Sequence, residues 1–592
     1  MRQIEYILLL RNAFITQGNH EEIKITSTEL SKILSTSGRN TNYLIKKLKT
    51  QNYLNWIPGK GRGNQSTLIF YLSFSEIANL YVKAMIKENR VIDIIDFAHS
   101  FLSDFGLHEI YTLLHQSLGA HIEKIDSEYI STIKLLIPQE IKTLDPKNVT
   151  LYFEAHLISQ IYNTLVLFDE MENKLTPSLA YDWKEQEKGK KWTFLLRKSV
   201  QFHNGDLFTS KDVVFTFNRL LNSPHSSIFS LLKDIREIEM VGDHIIIFHL
   251  KKANYFFPRI LSSFQCSILH HNFPNKEDIN GTGSFFIKEH SEQFIRLTAF
   301  QAYFQERALI DQLDIWMDSF SQQIPNKMTE LLTPSIHSQK ASITHHQQLL
   351  GSRFLIFNSM KHGPSSDPNL RMAITQMVNT TKMIEELGGN RISVAKSFLP
   401  EISKTSSIII PSIESAKNYL KKSHYQGEVI NLYYFHLNEG FETATWIKKQ
   451  AMKIGLSISL KPISSEVIAN QHLQLDADIL LYSSILSKDI ELSLYTLFKS
   501  ENSFIRPYLT KESCQSIDDK LEKFSQSEDS AERNQTLLQI EKFLKDQFSI
   551  LFLYHSTNTL NYKSHVRGMQ VNSFGLIDFR KIWIEPDSLI VK

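Results

Sequence analysis

The apolar positions of the first 75 residues change period in an order that predicts a set of short elements. Tyr6, Leu9, Leu10 and Ala13 follow helical spacing and predict a first helix. A short second helix is expected over 29–34, capped by Ser27 or Thr28, with Leu30, Ile33 and Leu34 facing inward. Ser35-Thr36-Ser37-Gly38 reads as a turn. A third helix is expected from about 39 to 50, burying Tyr43, Leu44 and Leu48. Its other face shows Arg39, Asn40, Asn42, Lys46, Lys47 and Lys49. Apolar strands at 53–57 and 68–72 then flank a glycine-rich basic tip at 58–64. A helix-turn-helix followed by strand, basic turn and strand is a winged helix.

Further along, residues 76 to about 125 carry helical stripes, first Ile77, Leu80, Tyr81, Ala84 and Met85, then Ile94, Phe97, Ala98, Phe101 and Leu102. Packing on the winged helix, linking to the next domain and forming a homodimer are all open to this segment. Trp192, Phe194 and Leu196 alternate with Thr193, Leu195 and Arg197, as in a half-buried strand. His203-Asn204-Gly205-Asp206 reads as a turn, and Thr209 with Asp212 three residues on is a capping-box start. Val213, Phe217, Leu220 and Leu221 stripe the helix that follows.

Composition narrows the class. With 592 residues, 42% hydrophobic and 22% charged, the chain is globular and long enough for about three to four domains. Its apolar runs, such as Ile7-Leu8-Leu9-Leu10, fall far short of the ~20 residues a membrane span needs, so no membrane insertion is expected. Cys266 and Cys514 are too few for a disulfide framework or a cysteine metal site. At the N-terminus Glu5 precedes a four-residue apolar patch that Arg11 ends, which is no export signal, and a cytoplasmic location is expected.

The net charge of +2 hides an asymmetry. Residues 1–75 hold ten Lys and Arg against four Glu, whereas 76–130 hold four bases against nine acids. The basic set matters because Arg and Asn at the start of a recognition helix suit bidentate contacts with guanine and adenine. The expected DNA-facing residues are Ser37, Arg39, Asn40, Asn42, Lys46 and Lys47 on the helix, with Lys60, Arg62 and Asn64 on the wing. Winged helices also serve as protein-interaction modules, and that use stays open. The tip Gly59-Lys60-Gly61-Arg62-Gly63 lacks the Gly-Lys-Ser/Thr ending of a phosphate loop.

Catalytic signals are missing. Neither Gly-x-Ser-x-Gly nor His-Glu-x-x-His occurs, so no enzyme and no cofactor are expected. His203 fits a structural turn. The adjacent pairs His270-His271 and His345-His346 are expected to point their rings apart, and no metal site follows.

From residue 144 onward the chain resembles the extracytoplasmic solute-binding family 5, the peptide and nickel receptors of ABC transporters. The likeness starts at Leu144-Asp145-Pro146 and 161–166, and continues through Pro177-Ser178-Leu179-Ala180-Tyr181-Asp182-Trp183. Its most specific block runs from Trp192 to Phe217. Gly281-Thr282-Gly283-Ser284-Phe285, Phe357-Asn358-Ser359, 369–374, Val566-Arg567-Gly568-Met569 and Asp578-Phe579 extend it. Leu54-Asn55-Trp56 and Gly61-Arg62-Gly63 resemble the N-terminal module of SgrR-type regulators, which join these same two domains.

The resemblance implies a multidomain protein: a winged helix-turn-helix at 1–75, an acidic helical linker at 76–130, and an α/β two-lobed domain at 131–592. That domain would have the type II periplasmic-binding-protein fold, with lobe one at about 131–340 plus a returning C-terminal stretch and lobe two over most of 350–545. It also implies a cytoplasmic transcriptional regulator whose partners are double-stranded DNA and a small molecule such as a sugar phosphate, a peptide or another polar metabolite. An ABC-transporter receptor is the alternative, and a scaffold without ligand is a third reading. Peptide receptors of the family place an acid on lobe two to meet the ligand's amino group. The aspartate is missing from the segment that aligns there, and Glu439 is the candidate left.

Overall fold

The computed structural model describes residues 2–59, 65–125, 127–137, 140–149, 151–224, 226–273, 279–317, 342–405, 411–435, 438–463, 476–563, 566–572 and 576–585. The chain opens with α1 (Arg2–Ala13), β1 (Ile23–Ile25), α2 (Ser27–Ile33), α3 (Gly38–Thr50), β2 (Leu54–Ile57) and β3 (Ser66–Phe70). The strands pair antiparallel in the order β1-β3-β2, the small sheet of a winged helix.

The local signals place these elements except for β1, which they do not predict, and with two differences in detail. The cap of α2 is Thr26, not Ser27 or Thr28. The Thr26 N–H donates to Glu29 Oε2 at 2.8 Å while the Glu29 N–H donates to Thr26 Oγ1 at 3.2 Å, a reciprocal box that sets the helix start. On α3 the buried residues are Thr41, Leu44, Ile45 and Leu48, spaced i, i+3, i+4 and i+7. Tyr43 falls outside that stripe and is 62% exposed, so the expectation that it is buried fails. Helical geometry corrects it.

The acidic segment expected as a linker is packed structure. It forms α4 (Phe74–Lys87), α5 (Val91–Phe101) and α6 (Asp104–Ser117), then β4 (Gly119–Ile125) and the start of β5 (Glu128–Ile137). Ile77, Tyr81, Met85, Ile94 and Leu114 share one core with Ile7, Leu10, Leu44, Leu48 and Phe70 of the winged helix. The apolar stripes of these helices find their cover there.

That core does not stop at the helices. Strands β12 (Phe285–His290), β13 (Phe294–Ala299) and β14 (Gln312–Met317) join β5 and β4 in a five-stranded sheet, order β12-β13-β14-β5-β4, with β14 and β5 parallel. Leu136, Phe294 and Trp316 from this sheet enter the N-terminal core, and Trp316 is wholly buried with its ring 5.2 Å from that of Phe294. The sheet's other face packs α7 (Tyr152–Ile161) and returning residues Val566, Phe579 and Ile584.

Among the described residues two further large sheets follow, beside two two-stranded ones. Strands β8 (Ala180–Gln186), β9 (Lys191–Leu196), β10 (Ile235–Met240) and β11 (Ile245–Leu250) form the first, in the order β10-β11-β9-β8, covered by α8 (Ser210–Leu221). The second spans Ser342 to Lys563 and has seven strands, with parallel pairing confined to its 430–435, 458–463 and 479–485 members. The two parts touch. The Phe256 and Phe524 ring centroids are 4.8 Å apart, and Arg259 Nε donates to the buried Asp489 carboxylate at 2.6 Å. Among the described residues no helix is long and apolar enough to cross a membrane.

Candidate nucleic-acid interface and sensory lobes

The recognition helix is built by its own sequence. Ser37 caps α3, accepting a hydrogen bond from the Asn40 N–H at 3.4 Å, and so is tied to the helix start it was expected to offer to DNA. Arg39, Asn40, Asn42 and Lys46 are all exposed, and Lys47 is half-buried. No ion pair neutralises Arg39, Lys46 or Lys47 among the described residues. Arg39, Tyr43, Lys46 and Thr50 are spaced i, i+4, i+7 and i+11, so they form a ridge opposite the buried stripe. The Lys47 ammonium stands 5.9 Å over the Tyr43 ring. Tyr43 is the exposed residue of this face that sequence reasoning placed in the core, and phasing the stripe on Thr41 would have found it.

Not every base in the N-terminal region belongs to that surface. Arg11 is buried: it donates to the carbonyls of Leu72 at 3.1 Å, Phe14 at 2.6 Å and Gln17 at 2.7 Å, and lies over Phe70. Burial pushes its pKa down from the ordinary arginine value. Lys49 donates to the Trp56 carbonyl at 3.3 Å and Lys24 to Thr67 Oγ1 at 2.7 Å. The wing tip begins at Gly59, whose N–H donates to Ser66 Oγ at 3.1 Å. Lys60, Arg62 and Asn64 lie outside the described residues.

In the lobes, His203 is a structural residue. Its Nε2 bonds the Gly283 carbonyl at 3.0 Å and its Nδ1 accepts the Gly281 N–H at 3.3 Å, which requires the neutral ring. Burial accordingly drives its pKa down to about 4. Gly283 is needed for the approach, since a Cβ there would stand 2.3 Å from the Gln160 carbonyl oxygen.

Glu439, the candidate for a ligand's amino group, is already engaged. It sits at the start of the helix Asn438–Ile454, its side chain 26% exposed and 3.2 Å from a nitrogen of the buried Arg353. A carboxylate neutralised in this way has little charge left for an ammonium ion. Where the lobes meet, the Tyr152 hydroxyl of α7 lies 3.3 Å from both the N–H and the carbonyl of Ile485, at the end of a central lobe-two strand.

The expectation that adjacent histidines diverge fails for His270 and His271. Their ring centroids are 4.6 Å apart with 32° between planes, because the chain turns there and each ring follows its own carboxylate. The side chain of His345 lies outside the described residues.

Comparison with known proteins agrees with this architecture. Residues 174–504 match the model of the bacterial extracellular solute-binding proteins, family 5 (middle part), and residues 3–124 that of the sugar transport-related sRNA regulator N-terminus. The uncharacterized protein YhjP of Bacillus subtilis is 27% identical over 593 residues, covering 99% of this chain and 100% of its own. The HTH-type transcriptional regulator SgrR of Yersinia pestis (strain Pestoides F) is 22% identical over 584 residues, 96% of each chain. Among solved structures, a dipeptide binding protein from Pseudoalteromonas sp. SM9913 in complex with Met-Leu superposes with a TM-score of 0.65. It is 18% identical and is covered in full by 76% of this chain.

Proposed function

The chain belongs to family 5 of the bacterial extracellular solute-binding proteins, and from that premise we propose that it is a DNA-binding transcriptional regulator whose solute-binding lobes sense a small polar molecule. The observation that carries the reading is the outer face of α3, where Arg39, Asn40, Asn42, Tyr43 and Lys46 are exposed and unneutralised on a winged helix. Ser37 caps that face, Lys47 borders it, and Lys60, Arg62 and Asn64 of the wing complete the proposed contact set. The transport receptors of the family have no use for such a face. The regulator named for the Yersinia relative does, and it matches this chain over nearly its whole length.

The ligand, a sugar phosphate, a peptide or another polar metabolite, would enter between the lobes, where concave sites at domain junctions form. Because Glu439 is paired to Arg353, we favour a ligand that needs no free carboxylate there. A regulator of this kind works in the cytoplasm. Selection of duplexes from a random pool by the full-length protein tests the DNA half: an enriched sequence is expected, and capture of none would return the receptor reading. For the sensory half, the ligand found by thermal-shift screening should change affinity for the selected duplex about 5- to 150-fold. An unchanged affinity would favour the scaffold reading.

A further inference from the structure

His270 and His271 meet two carboxylates that come from different parts of the chain. His271 Nδ1 lies 2.7 Å from Asp212 Oδ1, in the first turn of α8, and His270 Nε2 lies 3.2 Å from Asp206 Oδ2, in the turn that precedes it. One donor atom each from Asp212, His270 and His271 falls within 4.8 Å of the others. We propose that this cluster binds a divalent transition-metal ion of the zinc, nickel or copper type.

The charge balance points to a cation. Asp212 is wholly buried, yet its partners are the Thr209 N–H at 2.8 Å, the Thr209 hydroxyl at 3.2 Å, and the N–H and ring of His271. None of these is a lysine or arginine. Several other buried carboxylates do have one, as Asp489 has Arg259, Asp314 has Arg296 and Glu491 has Arg533, whereas Asp367 is held, like Asp212, by backbone N–H groups and a histidine ring. A buried carboxylate whose partners are backbone N–H groups, a hydroxyl and a histidine ring has no fixed positive charge beside it, and a bound cation supplies one.

The donor types suit this class of metal. Imidazole nitrogens with a carboxylate favour zinc, copper and nickel, whereas magnesium and calcium take oxygen sets. The His270 ring is also oriented for the task. The Asn272 N–H points at its Nδ1 at 3.2 Å, which marks that nitrogen as the lone pair and leaves the proton on Nε2, facing Asp206. A histidine that donates its far N–H to a carboxylate is the usual support of a metal ligand. An ion at Nδ1 of His270 would displace the Asn272 N–H from that lone pair, and it would replace the proton between His271 and Asp212, which passes to solvent. Bonds of about 2.0–2.2 Å put tetrahedral donors ~3.3–3.5 Å apart. His271 and Asp212 stand 2.7 Å apart and all three donors lie within 4.8 Å of one another, so the site forms by small side-chain movements. The His271 side chain is 39% exposed, which opens a route for the ion and a position for water.

Titration of the metal-free full-length protein with zinc chloride, followed by calorimetry, tests the proposal. One equivalent is expected to bind, and His270→Ala and His271→Ala should each weaken it at least ~10-fold. Asp206→Asn, at an exposed carboxylate, should keep the fold and weaken binding about 10- to 100-fold. Cobalt(II) in place of zinc should give a visible absorption band in the wild type that Asp206→Asn diminishes, which decides the matter even if a histidine variant fails to fold. Absence of binding by the wild type overturns the proposal. So does binding left unchanged by all three substitutions, since other histidines would then hold the ion.

Discussion

At the scale of single residues, neighbours on one helix turn have opposite roles. Leu44 is in the core and Tyr43 is in solvent, so truncating each should separate folding from binding. Leu44→Ala is expected to cost about 2–5 kcal/mol in chemical denaturation. Tyr43→Ala should leave the melting temperature unchanged and lower duplex affinity. Arg39→Ala should relax base preference at one position by roughly 1–3 kcal/mol, read from a panel of single-base variants of the selected duplex. The histidines make a second residue-level prediction. Burial lowers both His156 and His203 to about 4. Above pH 6.5 each ring is neutral whether folded or unfolded, and neither contributes a slope. Between about pH 6.5 and pH 4 the unfolded chain takes the proton first, so folding loses stability as pH falls, by up to ~3 kcal/mol per ring before levelling off. Urea denaturation across that range should show the decline, and His156→Gln should make it shallower.

At the scale of elements, α3 was legible because a 13-residue amphipathic helix has its own cap and its own stripe. The charge around it was less so. Counting bases treats Arg11 like Arg39, yet the first is held by three carbonyls and only the second faces solvent. The salt dependence of DNA binding counts the bases that remain. If about five of the remaining bases, Lys46, Lys47, Lys60 and Arg62 among them, meet phosphates, log affinity should fall against log salt with a slope of roughly −4 to −5. Anisotropy titrations between low and high salt measure it, and Arg11→Ala should act on stability instead of on this slope.

For the whole molecule, the shared N-terminal core changes what counts as a separable part. Residues 1–75 end before Ile77, Tyr81, Met85 and Ile94, which belong to the same core as Leu44, Leu48 and Phe70, with α4 packed on α1. A 1–75 fragment should therefore show no cooperative thermal transition by circular dichroism, whereas the full-length chain should unfold cooperatively. Trp316→Ala removes a buried ring of the five-stranded sheet from that same core. It should destabilise that core by about 3–5 kcal/mol, read by chemical denaturation of the full-length protein. The packing of α5 against β14 also places the five-stranded sheet in the same core as the winged helix.

Periodicity, caps and charge order were enough to determine a winged helix, its exposed basic helix and a strand-turn-helix block at 191–221, because each depends on residues a few positions apart. Tertiary structure alone decided that α4–α6 are core and not connector, since an apolar stripe says that it must be covered but not by what. It also decided that Arg11 faces inward and that Glu439 is paired to Arg353. The same holds for His270 and His271, which meet Asp206 and Asp212 only because a turn brings together segments some 60 residues apart. Contacts between distant segments are set by the closing of the fold, and one-dimensional spacing contains no distance across it.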